Sequence, residues 1–219
     1  MNELIRNHTI TKFQNALDIG CSVGVYSKLL QGFGFKNVTG VDVDEPAIIK
    51  AKQFFESDND GSKINFYLKN AEELDCREKF DFILCSEVIE HCSKPDAVIK
   101  NIQECMSPGG IAIVSMPNVL SLSYMVSLVG HKVLRKEIDE TLRRHTEYPF
   151  FRTRSMLCTN DIKLIGDSGY NLLLFDPLIN RLDGKPMLEP LNRINTAVSK
   201  LGPLKSFSQF YFIVLAKNG

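Results

Sequence analysis

The sequence contains no tryptophan, and its 26 basic residues are balanced by 26 acidic ones. A chain without net charge has no global field to attract nucleic acid or an anionic membrane, which argues against nucleic acid as a partner without excluding it. No stretch reaches the roughly 18 apolar residues that a membrane-spanning helix needs. The first residues also lack the apolar core of a signal peptide. These absences predict a cytoplasmic protein.

Cysteine is present, but its spacing shows no pairing motif. Six cysteines are scattered along the chain, and no two of them form a C-x-x-C pair. Several fall on predicted strands or helix faces, which is typical of thiols in a reduced chain. The pattern therefore favours reduced cysteines in the cytoplasm.

Apolar segments and turn residues alternate regularly over the first half of the chain. A length of 219 residues and an apolar fraction of 44% are enough for one well-buried domain. Strands are predicted at 16–20, 38–42, 64–68, 80–85 and 111–115, and helices at 25–34, 45–56 and 95–106. This alternation is typical of an α/β protein with a doubly wound, mostly parallel sheet.

The alternation is interrupted after Pro117. We predict a lid-like insert at about 118–154 and a second, proline-rich and irregular insert at about 177–205. The later regular elements are a helix at 155–168, a strand at 170–175 and a closing strand at 207–217. The last two strands would form an antiparallel edge, so the prediction is a single domain over residues 1–219 built on a seven-stranded sheet.

A tight loop of small residues follows the first predicted strand, in the order Asp18-x-Gly20-x-Ser22-x-Gly24, and Asp42 ends the second strand. A Gly-rich turn and a carboxylate at two strand ends are typical of a nucleoside-cofactor site. A dinucleotide motif needs a third small residue where Val25 stands. Asp18 would repel a diphosphate but would suit a positive amino group. The loop therefore favours S-adenosylmethionine over a nicotinamide cofactor.

Several motifs taken together resemble those of class I S-adenosylmethionine-dependent methyltransferases. They are Asp18-x-Gly20-x-Ser22-x-Gly24, Asp42, Asn70-Ala71-Glu72, Phe80-Asp81-Phe82-Ile83-Leu84 and Pro108-Gly109-Gly110. Ser22 stands where the family has its middle glycine. The chain resembles small-molecule and ubiquinone-biosynthesis-type O-methyltransferases, and has a weaker similarity to small-RNA 2′-O-methyltransferases. The resemblance implies a Rossmann-like methyltransferase fold with S-adenosylmethionine as cofactor.

The same resemblance implies how these residues contact the cofactor. Asp18 would lie near the amino group, Asp42 would hold the ribose hydroxyls, and Val43 would pack on adenine. Other implied contacts are Gly20, Cys21, Ser22 and Gly24 near the methionine, Asn70, Ala71 and Glu72 at the adenine edge, and Ser86 near the sulfonium. Asp81 is expected to serve the structure rather than the cofactor.

Glu87, Glu90 and His91 follow the fourth predicted strand, and at helical spacing they share one face. Two interpretations remain open. In the first, His91 or the later His145 is a general base for the acceptor, because histidine titrates near neutral pH. In the second, which the resemblance implies, Glu87, Glu90, His91 and His145 bind a divalent cation that activates a hydroxyl.

Residues 131–154 contain more basic than acidic side chains. They form either a solvated helical face or a lid that selects an anionic acceptor. The apolar segment 119–129 would line an apolar acceptor pocket or make peripheral membrane contact. The leading hypothesis is O-methylation of a small-molecule acceptor by in-line methyl transfer. The alternatives are a metal-dependent RNA 2′-O-methyltransferase and a non-catalytic S-adenosylmethionine-binding module, and the sequence leaves the oligomeric state open.

Overall fold

The computed structural model describes residues 10–55, 63–118, 121, 150–170, 188–199, 201 and 206–219. His145 and most of the predicted lid lie outside the described residues, as does the first part of the second insert. The functions suggested for those segments, including membrane contact, therefore stay predictions. Within the described part of the chain, no helix is long and apolar enough to cross a membrane.

The strands are β1 (Asn15–Ile19), β2 (Asn37–Asp42), β3 (Lys63–Leu68), β4 (Phe80–Ser86), β5 (Met106–Pro117), β6 (Ile162–Tyr170) and β7 (Phe210–Lys217). They form one seven-stranded sheet in the order β3-β2-β1-β4-β5-β7-β6. Strands β1 to β5 pair in parallel. Strand β7 is antiparallel to both β5 and β6. The predicted mostly parallel sheet with an antiparallel C-terminal edge is confirmed.

The described helices are α1 (Val25–Gly32), α2 (Glu45–Phe55), α3 (Pro95–Cys105), α4 (Phe150–Leu157) and α5 (Leu188–Ser199). Helix α3 begins with Pro95 in its first turn, where the missing N–H costs nothing. Between β3 and β4 the described chain has only one 3-10 turn, Ala71–Glu73. The chain from this turn to β4 therefore takes the place that a crossover helix would occupy.

The sheet separates two hydrophobic cores. One core packs Phe35, Phe82 and Ile48 on the side of α1 and α2. The other packs Ile83, Ile102 and Met106 on the side of α3, together with residues of β7. Because both faces of β1 and β4 are covered, these strands are apolar along nearly their whole length.

Asp81 is the polar exception in β4, and its role is structural, as predicted. Its carboxylate accepts hydrogen bonds from the backbone N–H groups of Gln14 and Asn15, both at 3.2 Å. The hydroxyl of Ser107 donates to the other carboxylate oxygen at 3.1 Å. Asp81 therefore ties the start of β1 to β5 at the amino-terminal edge of the sheet, away from the loop that follows β1.

The predicted helix at 155–168 is wrong. Helix α4 ends at Leu157, and Ile162–Tyr170 form strand β6. The Thr159 hydroxyl oxygen accepts hydrogen bonds from the N–H groups of Asp161 and Ile162 and so forms a turn between the two elements. The apolar residues Ile162, Leu164 and Ile165 fit the period of a helix or of a strand, and pairing with β7 decides in favour of the strand. Of the predicted strand at 170–175, only Tyr170 is described, as the last residue of β6, and the rest lies outside the described residues.

Two further expectations need correction. The second insert is not irregular throughout, because Leu188–Ser199 form helix α5, with Pro190 tolerated in its first turn. The cysteines are not all reduced, because a disulfide joins Cys76 and Cys105. The two residues are 29 positions apart, and only the packing of the β3–β4 connection against the end of α3 brings them together.

Candidate active site

The strand order reverses beside β1, which lies between β2 and β4. Ligands of doubly wound sheets bind in the crevice at the carboxyl ends of the strands where this reversal occurs. The carboxyl ends of β1, β2 and β4 carry Gly20, Asp42 and Ser86 at or just beyond them. The topology therefore brings together three of the segments in which the sequence predicted a cofactor site.

The loop after β1 is held in left-handed backbone conformations, with φ of 74° at Gly20, 48° at Ser22 and 84° at Gly24. The N–H of Gly20 donates to the carbonyl of Val41 at 2.8 Å, which ties the loop to β2. A Cβ at Gly24 would lie 2.6 Å from Cζ of Phe66. The glycines thus allow a turn that is too tight for larger residues and that ends at the start of α1.

Asp42 is positioned by this loop and by its own strand end. Its Oδ2 accepts a hydrogen bond from the N–H of Ser22 at 2.8 Å, and its Oδ1 accepts one from the N–H of Asp44 at 2.9 Å. Each carboxylate oxygen keeps a further acceptor site. This is the arrangement needed for two vicinal hydroxyls. Val43 is 67% exposed beside it and offers an apolar surface for a flat base.

Asp18 lies beneath the loop rather than on its surface. It is 1% exposed, and the hydroxyl of Ser27 donates to its Oδ2 at 2.6 Å. Burial, together with the nearby Asp42 carboxylate, raises the pKa of Asp18 to about 6, although the Ser27 hydrogen bond opposes the shift. Burial and the Asp18 carboxylate also raise the pKa of the Cys21 thiol to about 12, so Cys21 is no nucleophile near neutral pH.

The turn Asn70–Glu72 is built from its own polar groups. Asn70 Oδ1 accepts a hydrogen bond from the N–H of Glu72 at 2.9 Å. Ala71 is buried, and its carbonyl accepts from the amide of Asn101 at 2.8 Å. Oε1 of Glu72 accepts from the N–H groups of Ser93 and Lys94, at 2.6 and 3.0 Å. The structure therefore uses the Glu72 carboxylate to cap the start of α3.

These elements surround a cavity of about 250 Å³ at the crevice. Its lining residues are Gly20, Val41, Asp42, Val43, Lys69, Asn70, Ala71, Glu72, Val88, His91, Cys92 and Ser93. Of the predicted cofactor residues, Asp18, Cys21, Ser22, Gly24 and Ser86 are not among them. Sequence reasoning missed five lining residues, and all but the last stand next to a predicted site residue: Val41, Lys69, Val88, Cys92 and Ser93.

Ser86 and Glu87 belong to a hydrogen-bonded chain that sequence reasoning missed. Glu87 has a positive φ of 54°. The hydroxyl of Ser115 donates to Oε1 of Glu87 at 2.8 Å, and the hydroxyls of Ser86 and Ser115 are 2.8 Å apart. The available signal was the polar Ser115 at the end of an otherwise apolar strand. Ser115 therefore fixes the Glu87 carboxyl at the carboxyl edge of the sheet.

Glu87 and Glu90 are neighbouring carboxyl groups, and burial raises the pKa of both. Glu90 is 2% exposed, and its Oε2 has no hydrogen-bond partner among the described residues. His91 is more open, and its Nε2 lies 3.9 Å from Oε1 of Glu90. The described residues include no group of three or more His, Cys, Asp or Glu side chains that could hold a metal ion. His145, the fourth predicted ligand, lies outside them, so the metal site stays a prediction.

Comparison with known proteins agrees with this geometry. The family model described as "Methyltransferase domain" matches residues 4–159. Ubiquinone biosynthesis O-methyltransferase of Rickettsia canadensis (strain McKiel) is 34% identical over 60% of this chain and 55% of its own length. The enzyme of the same name from Idiomarina loihiensis is 28% identical over 80% of this chain and 71% of its own. The chain thus matches little more than half the length of the former relative.

Solved structures show the same fold. Magnesium protoporphyrin IX methyltransferase from Synechocystis PCC 6803, with bound S-adenosylhomocysteine, superposes with a TM-score of 0.65 at 15% identity, over 99% of this chain and 80% of that one. An N-methyltransferase from Bradyrhizobium japonicum, also bound to S-adenosylhomocysteine, gives 0.61 at 17% identity, over 100% and 85%. This chain belongs to the class I S-adenosylmethionine-dependent methyltransferase family. Its methyl donor is accordingly S-adenosylmethionine.

Proposed function

We propose that this chain methylates a hydroxyl oxygen of a small molecule and that the acceptor is a phenolic ring. The observation that carries the proposal is the juxtaposition of the nucleoside cavity with the Glu87–Glu90–His91 group at the carboxyl ends of β1 and β4. The curated relatives support oxygen as the target through their shared name, which refers to ubiquinone biosynthesis and O-methylation.

The residues around the cavity fit the cofactor. The left-handed loop keeps Cβ atoms out of the space beside Val88, because a Cβ at Gly20 would collide with that side chain. Asp42 presents acceptors for two ribose hydroxyls, and Val43 provides the apolar surface for adenine. Asp18, once ionised, complements the ammonium group of the methionine part. S-adenosylmethionine supplies an electrophilic methyl group on a positively charged sulfonium.

The residues next to the methyl position then have two tasks. They must align the acceptor oxygen with the methyl carbon and exclude water, since alignment is the main source of rate in such a transfer. They must also remove the proton of the acceptor hydroxyl. His91 is the described side chain suited to that task, because it lines the cavity and is 59% exposed beside Glu90. The buried Glu90 carboxyl would orient the ring.

A radiolabelled methyl donor tests this proposal on a panel of acceptors. We expect label on the oxygen of a catechol-type phenol, and little on an aromatic amine or on a short RNA. His91→Gln should lower kcat at least roughly tenfold with little change in cofactor Kd, because it removes a general base. Transfer to RNA or to nitrogen in preference to the phenol would contradict the acceptor class.

The metal interpretation is tested in the same assay. Treatment with EDTA followed by Mg²⁺ or Mn²⁺ should leave the rate unchanged if His91 acts as a base without a cation. Loss of activity with EDTA and its recovery with either cation would instead support the proposed site of Glu87, Glu90, His91 and His145. The variant Glu73→Ala, which removes an exposed carboxylate that does not line the cavity, serves as a matched control.

A further inference from the structure

The disulfide between Cys76 and Cys105 joins two segments that support the cofactor site, a loop and a helix. Cys76 lies in the connection that runs from the adenine-side turn to β4, which we call loop 71–79. Cys105 is the last residue of α3. The loop contains Ala71 and Glu72, which line the cofactor cavity. A bond made within the loop therefore affects the position of residues that line the cofactor cavity.

Loop 71–79 lies along the whole length of α3. At the start of the helix, Glu72 caps the N–H groups of Ser93 and Lys94. At the end of the helix, the amine of Lys79 donates to the carbonyl of Glu104 at 2.7 Å, beside the disulfide. The loop is thus attached by polar contacts at both ends, and the disulfide is its one covalent attachment to α3 in the described structure.

The loop is not packed tightly against the sheet. A second cavity of about 290 Å³ lies beneath it, lined among others by Leu74, Phe80 and Cys105. This cavity shares Val41 and Lys69 with the cofactor cavity. If the covalent attachment is lost, the loop has space to move, and its movement reaches the cofactor site directly.

Both oxidation states of the pair are compatible with the same backbone. The Cys76 sulfur lies 3.3 Å from the carbonyl oxygen of Asn101, so a free thiol at this position has a hydrogen-bond acceptor. Cys76 is half-buried, whereas Cys105 is 1% exposed. A small thiol therefore reaches the disulfide at Cys76, and Cys105 is the leaving group.

We propose that the Cys76–Cys105 pair is a redox-controlled clamp that sets the affinity of the adjacent site for S-adenosylmethionine; the inference rests on the proposed cofactor site, whose cavity Ala71 and Glu72 line. Reduction consumes two molecules of a low-molecular-weight thiol such as glutathione. The first forms a mixed disulfide at Cys76 and releases Cys105 as a thiolate, which takes up a proton. The second attacks the mixed disulfide, frees Cys76 as a thiol and leaves as oxidised glutathione.

The direction of the effect follows from the attachment. In the oxidised protein, loop 71–79 is ordered before the cofactor binds, so binding does not have to order it. In the reduced protein, the cost of ordering is met by part of the binding free energy. The polar contacts of Glu72 and Lys79 remain in both states, which limits the effect. We expect a Kd that is roughly 3- to 10-fold weaker after reduction.

The experiment uses the full chain, equilibrated with oxidised or reduced glutathione. Alkylation and intact mass count the free thiols, calorimetry with S-adenosylhomocysteine gives Kd, and hydrogen exchange reports on loop 71–79. Reduction should expose two more thiols, weaken Kd and speed exchange in the loop. Cys76→Ser should bind like the reduced protein in both buffers, because serine keeps the donor to Asn101 but not the covalent bond. Cys158→Ser, a half-buried cysteine outside the loop, should keep the wild-type response.

Three results would overturn the inference. If the oxidised and the reduced protein differ by two thiols but have equal Kd values, the disulfide does not affect cofactor binding. The proposed cofactor site would not be contradicted by that result. The same thiol count in both buffers would show that the pair does not change oxidation state. Absence of binding in both states would remove the proposed cofactor contacts and the clamp with them. If Cys76→Ser fails to fold, the comparison of the two wild-type states decides alone.

Discussion

We predict that the buried carboxylate of Asp18 makes cofactor affinity depend on pH. Burial raises the pKa of Asp18 from 3.8 to about 6, so the side chain of the free protein is mostly protonated at pH 5. In the contact proposed for Asp18, the cofactor ammonium pairs with the ionised form. Binding below pH 6 must therefore release a proton, and the affinity falls as the pH is lowered. Relative to the plateau above pH 7, we expect about a tenfold weaker Kd at pH 5.

The free protein should show the opposite trend in stability. The pKa of Asp18 is higher in the folded state than in the unfolded state, so the folded chain binds the proton more tightly. This contribution is fully present below about pH 4 and is lost as the pH rises through about 6. A shift from 3.8 to about 6 corresponds to about 3 kcal/mol of unfolding free energy. Urea unfolding between pH 4 and 7 measures it against Asp18→Asn, which lacks the titrating group.

Calorimetry between pH 5 and 8 tests the linkage on the binding side. S-adenosylhomocysteine carries the ammonium group, and 5′-methylthioadenosine is a control that has the nucleoside but no amino acid part. Only the first should lose affinity below pH 6, and only the first should release a proton. Asp18→Asn should bind it more weakly and with a flat profile. Equal pH dependence for the two ligands, or a flat wild-type profile, would refute the assignment of Asp18 to the amino group.

Three further substitutions test the loop, the ribose site and the helix cap. Asp42→Asn should weaken cofactor binding roughly 30-fold, or about 2 kcal/mol, because it removes a charged acceptor of two hydroxyls; calorimetry measures it. Glu72→Ala should cost about 1 kcal/mol of unfolding free energy in urea by uncapping α3, whereas Glu73→Ala should cost little. Gly24→Ala should destabilise the fold by about 2 kcal/mol in the same assay, because of its left-handed φ and the contact with a phenylalanine ring. Gly32→Ala, with open space around it, should be neutral or stabilising, and the reverse order of the two glycine variants would contradict this account.

The first five strands and the cofactor loop could be predicted because their signals are local. Each strand is a short apolar run with a turn beside it, and the left-handed positions Gly20 and Gly24 are occupied by the residue that tolerates them. Strand β6 could not be predicted in the same way. Its apolar residues suit a helix as well as a strand, and Gly169 suits the end of a helix. The choice is made by pairing with β7, which is about 50 positions away in the chain.

The contacts that position the candidate site were also invisible in the sequence. Ser115 holds Glu87 from a strand 28 residues further along. The disulfide partners are separated by 29 residues with no spacing motif. Both contacts depend on which strands are neighbours, and topology is not encoded in a local pattern. The residue types near the cofactor are thus predictable, whereas the residues that support them appear only in the fold.

Glu72 is a residue for which the fold changes the role that the resemblance implies. The resemblance implies that Asn70 or Glu72 reaches the adenine edge, but Oε1 of Glu72 is engaged at the start of α3. The carboxylate accepts from the N–H groups of Ser93 and Lys94, directly before α3, and lies near the positive end of the helix dipole, so moving it toward adenine would cost these contacts. We therefore infer that Glu72 acts on the cofactor as a positioning residue, through the turn that it fixes. Its loss should raise the cofactor Kd and lower helix stability together, whereas loss of Asp42, a proposed direct contact, should change Kd much more than stability.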